Sequence, residues 1–297
     1  HLIILGGSYV GMEFAQAFRR LGSEVSVIEQ SPLLISKEDK EISEAAREIL
    51  EDEGINFYTS ATASSVSHTT NNDISITFSQ NDKSKTLTGS HLLVAVGRLP
   101  NSDNLKLELA GVKRSEKGYI EVDNQCRTNI PHIFALGDVN GKGAFTHTSV
   151  HDGQVFNSML EGGTKKISDR NVIYSLYIDP PLARVGLTED QVIEAGIPYL
   201  VAHKKMATIS RAKEKDETKG LIKLLVDARD DTILGAAVFG VGGDEIIGML
   251  ALAMQAKLSY HVLQETVIPH PTVAELIPWV FDDLKEGKVK KSNINEK

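Results

Sequence analysis

A glycine-rich junction between an apolar strand and a helix, within the first 21 residues, constrains the fold most. The apolar run 2–5 ends at Gly6-Gly7-Ser8-Tyr9-Val10-Gly11, and a helical pattern follows over 10–21. Glycines at such a junction let the backbone turn tightly and let a pyrophosphate approach the helix N-terminus, whose N–H groups and dipole favour anions. Ser8 replaces the middle glycine, so the pattern alone also fits an ordinary glycine-rich turn. In context the junction predicts a parallel α/β domain with a dinucleotide site at Gly6, Ser8 and Gly11.

An acidic side chain at the end of the second predicted strand strengthens this interpretation. Glu29 closes the strand 24–29 and lies 23 residues after Gly6. A carboxylate there can accept hydrogen bonds from the adenosine ribose hydroxyls, and it repels a 2′-phosphate. The following segment 30–36 contains no arginine that would attract such a phosphate. NADH is therefore favoured over NADPH as the ligand.

The first 96 residues continue to alternate between strand and helix patterns, as in a parallel sheet. Ser36 and Asp39 predict a capping box for a second helix, whose apolar positions 42, 45, 46, 49 and 50 share one face. A third strand is predicted over 55–58, a polar β-meander over 61–88, and a last apolar strand over 91–96. The first domain is therefore predicted to be a Rossmann-type sheet with an added meander.

The remainder of the chain changes character twice. Residues 97–170 have the pattern of loops and short strands, with one apolar strand, 133–138, that ends in Gly137-Asp138. A carboxylate at that position suits a ligand-binding sheet edge and suits an ordinary strand-to-loop aspartate equally well. From 172, strands over 172–177, 200–206, 220–226 and 233–239 predict an antiparallel sheet, covered by helices over 189–195, 245–257 and 273–284. The lysine-rich tail 285–297 is expected to fray.

Charge and cysteine content exclude several classes of function. The formal net charge of −8 and a pI near 5.6 argue against nucleic acid, because phosphate binding needs a basic face. No apolar stretch approaches the roughly 18 residues that suggest a membrane span. Cys126 is the single cysteine, so we expect no internal disulfide, no cysteine-based zinc site and a reducing cytoplasm. We expect Cys126 to be an ordinary half-buried thiol, and no metal site is predicted.

Four motifs occur in an order that resembles the pyridine nucleotide–disulfide oxidoreductases, the flavoproteins related to dihydrolipoamide dehydrogenase, glutathione reductase and mercuric reductase. They are Gly6-Gly-Ser-Tyr-Val-Gly-Met-Glu13, Val96-Gly-Arg-Leu-Pro-Asn101, Thr128 followed by Phe-Ala-Leu-Gly-Asp138, and His270-Pro-Thr-Val-Ala-Glu275. The resemblance extends to about Leu284. The Gly-Ser variant and the segment 177–188 are most similar to the mercuric-reductase-like branch.

The resemblance implies that FAD and NAD bind, with NADP less favoured, and it implies roles for matching positions. Asp138 would hold the ribityl-phosphate side of the flavin, and Gly137 would give backbone clearance. Thr146, His147 and Thr148 would present backbone N–H groups to the isoalloxazine ring, where a helix N-terminus stabilises negative charge. Glu13 would lie near the nicotinamide, and Gly97 close to the dinucleotide.

His270 and Glu275 carry the proton chemistry that the resemblance implies. In the family, a histidine of one subunit acts as general acid/base for the redox thiols of the other subunit, oriented by a glutamate. The two residues lie five apart across a proline turn, so they can meet locally. Without the resemblance, His270 would be interpreted as a structural histidine at a helix start. With it, we expect His270 and Glu275 to be catalytic and the protein to be a homodimer.

The predicted architecture is α/β with three parts. Residues 1–96 form a Rossmann-type nicotinamide domain, 97–170 the C-terminal part of an FAD domain, and 171–297 an α+β dimerisation domain. The family's N-terminal flavin-binding half, with its redox cysteine pair, is not found in this sequence, so we expect the chain to be incomplete as an enzyme. No cysteine pair stands near the C-terminus, which argues against mercury as the acceptor.

The function predicted from these features is electron transfer from NAD(P)H through FAD to a disulfide or related small-molecule acceptor. Two alternatives stay open. One is a soluble transhydrogenase or NADH oxidase, which would show a different cysteine arrangement. The other is a non-catalytic nucleotide-binding and dimerisation module.

Overall fold

A computed structural model describes residues 1–288, which divide into two compact units. One unit comprises residues 1–96 together with the chain from 172 onward, and the other comprises 97–171. Most of the predicted frayed tail, 289–297, lies outside the described residues. Among the residues that are described, no helix is both long and apolar enough to cross a membrane.

The first 96 residues form a four-stranded parallel sheet and a separate three-stranded meander, as predicted. The chain runs β1 (Leu2–Leu5), α1 (Tyr9–Arg20), β2 (Val25–Ile28), α2 (Lys40–Asp52), β3 (Asn56–Tyr58), β4 (Ala61–His68), β5 (Ile74–Gln80), β6 (Lys83–Gly89) and β7 (His91–Val94). The parallel order is β3-β2-β1-β7, with Leu2 opposite Val25 on one side and His91 on the other. Because β1 is central, its residues Ile3 and Ile4 are fully buried, which explains the unbroken apolar run at the start.

The capping box predicted for α2 is wrong. The helix begins at Lys40 with Asp39 as its N-cap residue, and no side-chain cap hydrogen bond forms. Ser36 is exposed and lies outside the helix. The Asp39 carboxylate instead binds Arg184 and Lys223, which lie far along the chain, so a tertiary ion pair replaces the local cap. The predicted apolar face holds, since Ile42, Ala46, Ile49 and Leu50 are buried.

The unit 97–171 contains one long helix, α3 (Thr146–Leu160), among turns and short 3-10 segments. The strand predicted over 133–138 is wrong. Only an isolated bridge pairs Phe134 with Arg127, and Gly137–Asn140 is a 3-10 turn. Gly137 has a φ of 77°, a left-handed conformation that ends extended backbone. Cys126 is fully buried, more than predicted, against Val155 and Ile167.

From residue 172 the chain forms one antiparallel sheet and the helices that cover it. Its elements are β8 (Ile173–Leu176), β9 (Leu182–Gly186), α4 (Glu189–Glu194), β10 (Tyr199–Lys205), α5 (Ser210–Glu214), β11 (Leu221–Asp227), β12 (Ile233–Phe239), α6 (Gly243–Gln255), α7 (Tyr260–Glu265), α8 (Ile277–Val280) and β13 (Lys285–Glu286). The sheet order is β13-β10-β11-β12-β9-β8. A large core forms between β9–β12 and α6, with Val185, Leu224, Val238 and Leu250 fully buried.

The four predicted strands and the first two predicted helices of this region are confirmed, and Thr188 with Gln191 caps α4 as expected. The predicted helix over 273–284 is broken into a 3-10 turn, Ala274–Leu276, the short helix α8, and a second 3-10 turn, Phe281–Asp283. Pro278 lies in the first turn of α8, where its missing N–H is tolerated, so a new helix begins there instead of one continuous helix. Strands β9 and β13 and helices α5 and α7 were not predicted. The segment expected to fray begins with β13, which pairs with β10, so that expectation is wrong for residues 285 and 286.

Candidate functional site

The glycine-rich junction packs so tightly that side chains are excluded at two of its glycines. Gly6 has a φ of 105°, and a Cβ atom there would overlap the carbonyl oxygen of Ala95. A Cβ atom on Gly11 would overlap the carbonyl oxygen of Gly6, so α1 can approach β1 only with glycine at that position. Ser8 is the exposed N-cap residue of α1 and makes no side-chain cap bond. The N-terminal turn of α1 therefore has the geometry that a dinucleotide pyrophosphate requires.

Glu29 lies at the end of β2, beside this junction. Its Oε2 accepts a hydrogen bond of 2.5 Å from the Gly7 N–H, and its Oε1 accepts one of 2.6 Å from the Ser31 N–H. The carboxylate is thus fixed by backbone donors on both sides. An ionised carboxylate offers about four acceptor positions, so capacity for two ribose hydroxyls remains.

Glu13 lies on the face of α1 that binds the segment after β8. Its Oε1 accepts a 2.8 Å hydrogen bond from the Tyr177 N–H. One turn later, Gln16 exchanges two hydrogen bonds with the backbone of Asp179, through its Nε2 and its Oε1. The Tyr177 N–H therefore fixes the Glu13 carboxylate, and this contact was not predicted from the sequence.

Asp138 lies in the 3-10 turn Gly137–Asn140 and forms an ion pair with Arg98. Its side chain remains partly exposed, so an edge of the carboxylate stays open to a ligand. Gly97 precedes Arg98 with a φ of 135°, and no atom lies within 4 Å of the position that its Cβ would take. The pair Arg98–Asp138 was not predicted, although Arg98 belongs to the quoted motif 96–101.

The start of α3 is held by a local capping arrangement. The Thr148 hydroxyl donates to the Phe145 carbonyl at 2.8 Å and accepts from the Phe145 N–H at 3.2 Å. His147 stacks on the Phe145 ring with a centroid distance of 5.2 Å. Thr146 and His147 are exposed and lie in the first turn of α3. The backbone there can donate to an electron-rich ligand.

His270 and Glu275 meet, as their spacing allows. Nδ1 of His270 lies 2.9 Å and 3.0 Å from the two carboxylate oxygens of Glu275. An ionised carboxylate only accepts, so Nδ1–H is the donor, and Nε2 is left to exchange protons with another molecule. The His270 side chain is 73% exposed, whereas that of Glu275 is 15% exposed. A further hydrogen bond of 3.2 Å, from the Glu275 N–H to the Thr272 hydroxyl, fixes the glutamate.

A buried ion cluster joins α2 to the antiparallel sheet, and sequence reasoning missed it. Arg184 binds Glu38 at 2.7 Å and Asp39 at 2.5 Å, with all three side chains at most 2% exposed. Lys223 binds Asp39 at 3.1 Å, Glu41 at 2.6 Å and Glu189 at 2.7 Å. The sequence feature that could have indicated this cluster is the single arginine, Arg184, inside the apolar strand Leu182–Gly186, because a buried charge needs a partner of opposite charge.

The charges of this cluster shift several pKa values. Burial opposes the charge on Arg184, but Glu38 and Asp39 outweigh that effect and raise its pKa. Burial and the nearby Glu38 carboxylate raise the pKa values of Tyr9 and Tyr174, whose hydroxyls both donate to Glu38 Oε1. Both tyrosines therefore stay neutral donors, and the first residue of α1 is tied to the cluster.

The geometry fits the cofactors that the sequence resemblance implies. The α1 turn and Glu29 offer backbone N–H groups and a fixed carboxylate to a dinucleotide, and Gly97 leaves open space of the kind expected beside that dinucleotide. The Asp138 carboxylate and the start of α3 offer a carboxylate and backbone N–H groups to a flavin. Within residues 1–288, no group of three or more histidine, cysteine, aspartate or glutamate side chains is placed to hold a metal ion.

Comparison with known proteins identifies matches over nearly the whole chain. The family described as "Pyridine nucleotide-disulphide oxidoreductase" matches residues 1–153, and its "dimerisation domain" matches residues 172–281. The "Probable pyridine nucleotide-disulfide oxidoreductase RclA" of Escherichia coli is 35% identical over 96% of the chain and 64% of the relative. A dihydrolipoyl dehydrogenase of Staphylococcus aureus is 32% identical over 93% of the chain and 58% of the relative.

Solved structures give the same result. The "HOCl-induced flavoprotein disulfide reductase RclA from Escherichia coli" superimposes with a TM-score of 0.87 at 34% identity, covering 95% of this chain and 64% of that one. LpdA from Mycobacterium tuberculosis gives a TM-score of 0.85 at 25% identity, covering 94% and 60%. The chain thus spans less than two thirds of the length of these relatives.

Proposed function

The chain belongs to the pyridine nucleotide-disulphide oxidoreductase family, and we propose that its protein carries electrons from NAD(P)H through FAD to a disulfide or related acceptor. The members of this family are enzymes that use FAD and NAD(P)H. When bound, FAD accepts a hydride from the nicotinamide and passes the electrons on. The observation that carries the proposal is the His270–Glu275 pair, because an oriented and exposed imidazole serves a reaction that moves protons.

His270 acts in this proposal as the general acid/base for the redox thiols of the other subunit. Glu275 holds Nδ1–H, which fixes the tautomer and leaves Nε2 as the reactive nitrogen. The match of 172–281 to the dimerisation domain supports a homodimer in which His270 serves the partner subunit.

Glu29 selects NADH in this proposal. The Gly7 and Ser31 N–H groups hold its carboxylate in place at the end of β2, where it accepts the ribose hydroxyls and repels a 2′-phosphate. Glu13, Gly97, Gly137, Asp138 and the start of α3 take the nicotinamide and flavin roles stated above. The three-part division at 96 and 170 belongs to the same proposal.

The acceptor is a disulfide rather than mercury in this proposal. The segment 177–188 is similar to the mercuric-reductase-like branch, but the His270–Glu275 pair favours thiol–disulfide chemistry. The RclA structure is described as a flavoprotein disulfide reductase, which supports the same acceptor class. A reducing cytoplasm suits a chain with one unpaired thiol.

The test compares His270→Gln with His261→Gln in the purified protein. His261 is a matched control, since it is also an exposed histidine of the same domain and pairs with an acid, Asp231. We expect His270→Gln to lower disulfide reduction about 10²- to 10⁴-fold, the usual worth of a general acid/base. Reduction of the bound flavin by NADH, followed at its visible absorption band, should be unchanged in both variants.

Three outcomes would contradict the proposal. A native protein without a flavin spectrum would leave a nucleotide-binding module. A flavoprotein that transfers electrons only between pyridine nucleotides, or only to oxygen, would be a transhydrogenase or an NADH oxidase. Equal disulfide reduction in the two histidine variants would remove His270 from the proton chemistry.

A further inference from the structure

Asp152 is a buried carboxylate on the second turn of α3, and only 1% of the residue is exposed. Its Oδ2 accepts hydrogen bonds from the Gly137 N–H at 2.9 Å and from the Asn140 side-chain amide at 2.7 Å. Its Oδ1 accepts one of 2.5 Å from Arg170. Both ends of the 3-10 turn that carries Asp138 are therefore bound to one carboxylate.

Arg170 extends this arrangement to the start of α3. Its Nη1 also donates to the Thr148 carbonyl at 3.1 Å, and its Nη2 donates to the Lys142 carbonyl at 2.7 Å. One guanidinium thus links the loop before α3, the first turn of α3 and Asp152. The pair Asp152–Arg170 holds two parts of the chain that the proposed flavin site requires.

We propose that Asp152 is a positioning residue for the flavin: its carboxylate sets the Gly137–Asn140 turn that aims Asp138 and, through Arg170, sets the start of α3. This inference rests on the proposed function. Asp152 itself is too deeply buried to touch a ligand, so it acts through Gly137, Asn140 and Arg170. A carboxylate is required because all three of its partners are donors, and every buried side-chain nitrogen and oxygen in the described residues has a hydrogen-bond partner.

The decisive variant is Asp152→Asn in the complete protein. An amide keeps the volume but turns an NH2 group toward a donor, so one side of the arrangement must open. We expect the dissociation constant for FAD to rise about tenfold or more, the worth of one hydrogen bond to a charged group. The visible circular dichroism of the bound flavin should change, while NADH affinity of the apoprotein should stay at the wild-type value.

Glu161→Gln is the matched control, because Glu161 is an exposed carboxylate at the C-terminal end of the same helix. Arg170→Lys is the second variant, which keeps the charge beside Asp152 but cannot reach both backbone carbonyls. We expect it to weaken FAD binding in the same direction, so it decides the matter if Asp152→Asn does not fold.

Wild-type FAD affinity and an unchanged flavin dichroism in Asp152→Asn, or in Arg170→Lys where only that variant folds, would overturn the positioning role. Failure of the proposed function is distinguishable, because then the wild-type protein and Glu161→Gln would bind no flavin either.

Discussion

Replacing Arg184 by methionine should destabilise the unit that contains residues 1–96 more than any surface charge change. Methionine keeps much of the apolar volume, but it leaves the buried Glu38 without the cation that binds it at 2.7 Å and leaves Asp39 with Lys223 alone, at 3.1 Å. Removing one partner of a buried ion pair typically costs ~3–5 kcal/mol, because the remaining charge is neither solvated nor paired. We therefore expect the free energy of unfolding to fall by about that amount.

Urea unfolding followed by tryptophan fluorescence measures this change. Trp279 is the only tryptophan of the sequence and lies in α8, within the same compact unit as Arg184. Arg47→Met is the control, since Arg47 pairs with Glu51 on the exposed face of α2. Exposed pairs of this spacing contribute about 0.5 kcal/mol or less.

A second variant separates charge from packing. Adding Glu38→Gln to Arg184→Met removes the carboxylate that is left without a cation, while Asp39 keeps its pair with Lys223, so most of the lost free energy should return. A loss below about 1 kcal/mol in Arg184→Met, or no recovery in the double variant with Glu38→Gln, would refute the reasoning that the cluster is held by charge pairing.

Two further predictions concern titration. Hydrogen bonds from His203 and Lys223 hold the pKa of the Glu41 carboxyl well below its ordinary value of 4.5, so the stabilising contribution of Glu41 is present above that pH and is lost as the pH falls below it. Glu41→Gln should therefore flatten the acid limb of a plot of the urea unfolding midpoint against pH. An unchanged acid limb would count against this assignment. Burial, followed by the Asp152 carboxylate, raises the pKa of the Cys126 thiol to about 11. A thiol reagent should therefore leave Cys126 unlabelled in the folded protein at pH 8 and label it fully in denaturant, as mapped by peptide mass spectrometry. Rapid labelling of Cys126 in the folded protein would contradict its burial.

Features encoded by neighbouring residues could be predicted from the sequence. The strand–glycine–helix junction needs only 11 consecutive residues, and the position of Glu29 follows from the regular length of a βαβ unit. His270 and Glu275 are five residues apart, so a single turn brings them together. Their assigned chemistry came from the family resemblance and stays a prediction.

Features made by distant residues could not be predicted. Arg184 and Glu38 are 146 residues apart, and nothing local to either identifies its partner. Asp39 was interpreted as part of a helix cap because its partners are also distant in sequence, and a cap is the only role that the neighbouring residues indicate for an aspartate before a helix. Asp152 lies within a helical pattern, where an aspartate is usually a solvated side chain, and only the fold turns it toward Gly137.

The separation between Glu38 and Arg184 also has a consequence during synthesis. At roughly 5–20 residues per second, the ribosome needs about 7–30 s to add the 146 residues that separate the acid from its arginine. Until Arg184 and Lys223 have been added, we expect Glu38 and Asp39 of the nascent chain to lie in water without their cations. We expect the same two carboxylates, which are later buried, to add negative charge just before α2, and this charge would oppose premature association of nascent chains.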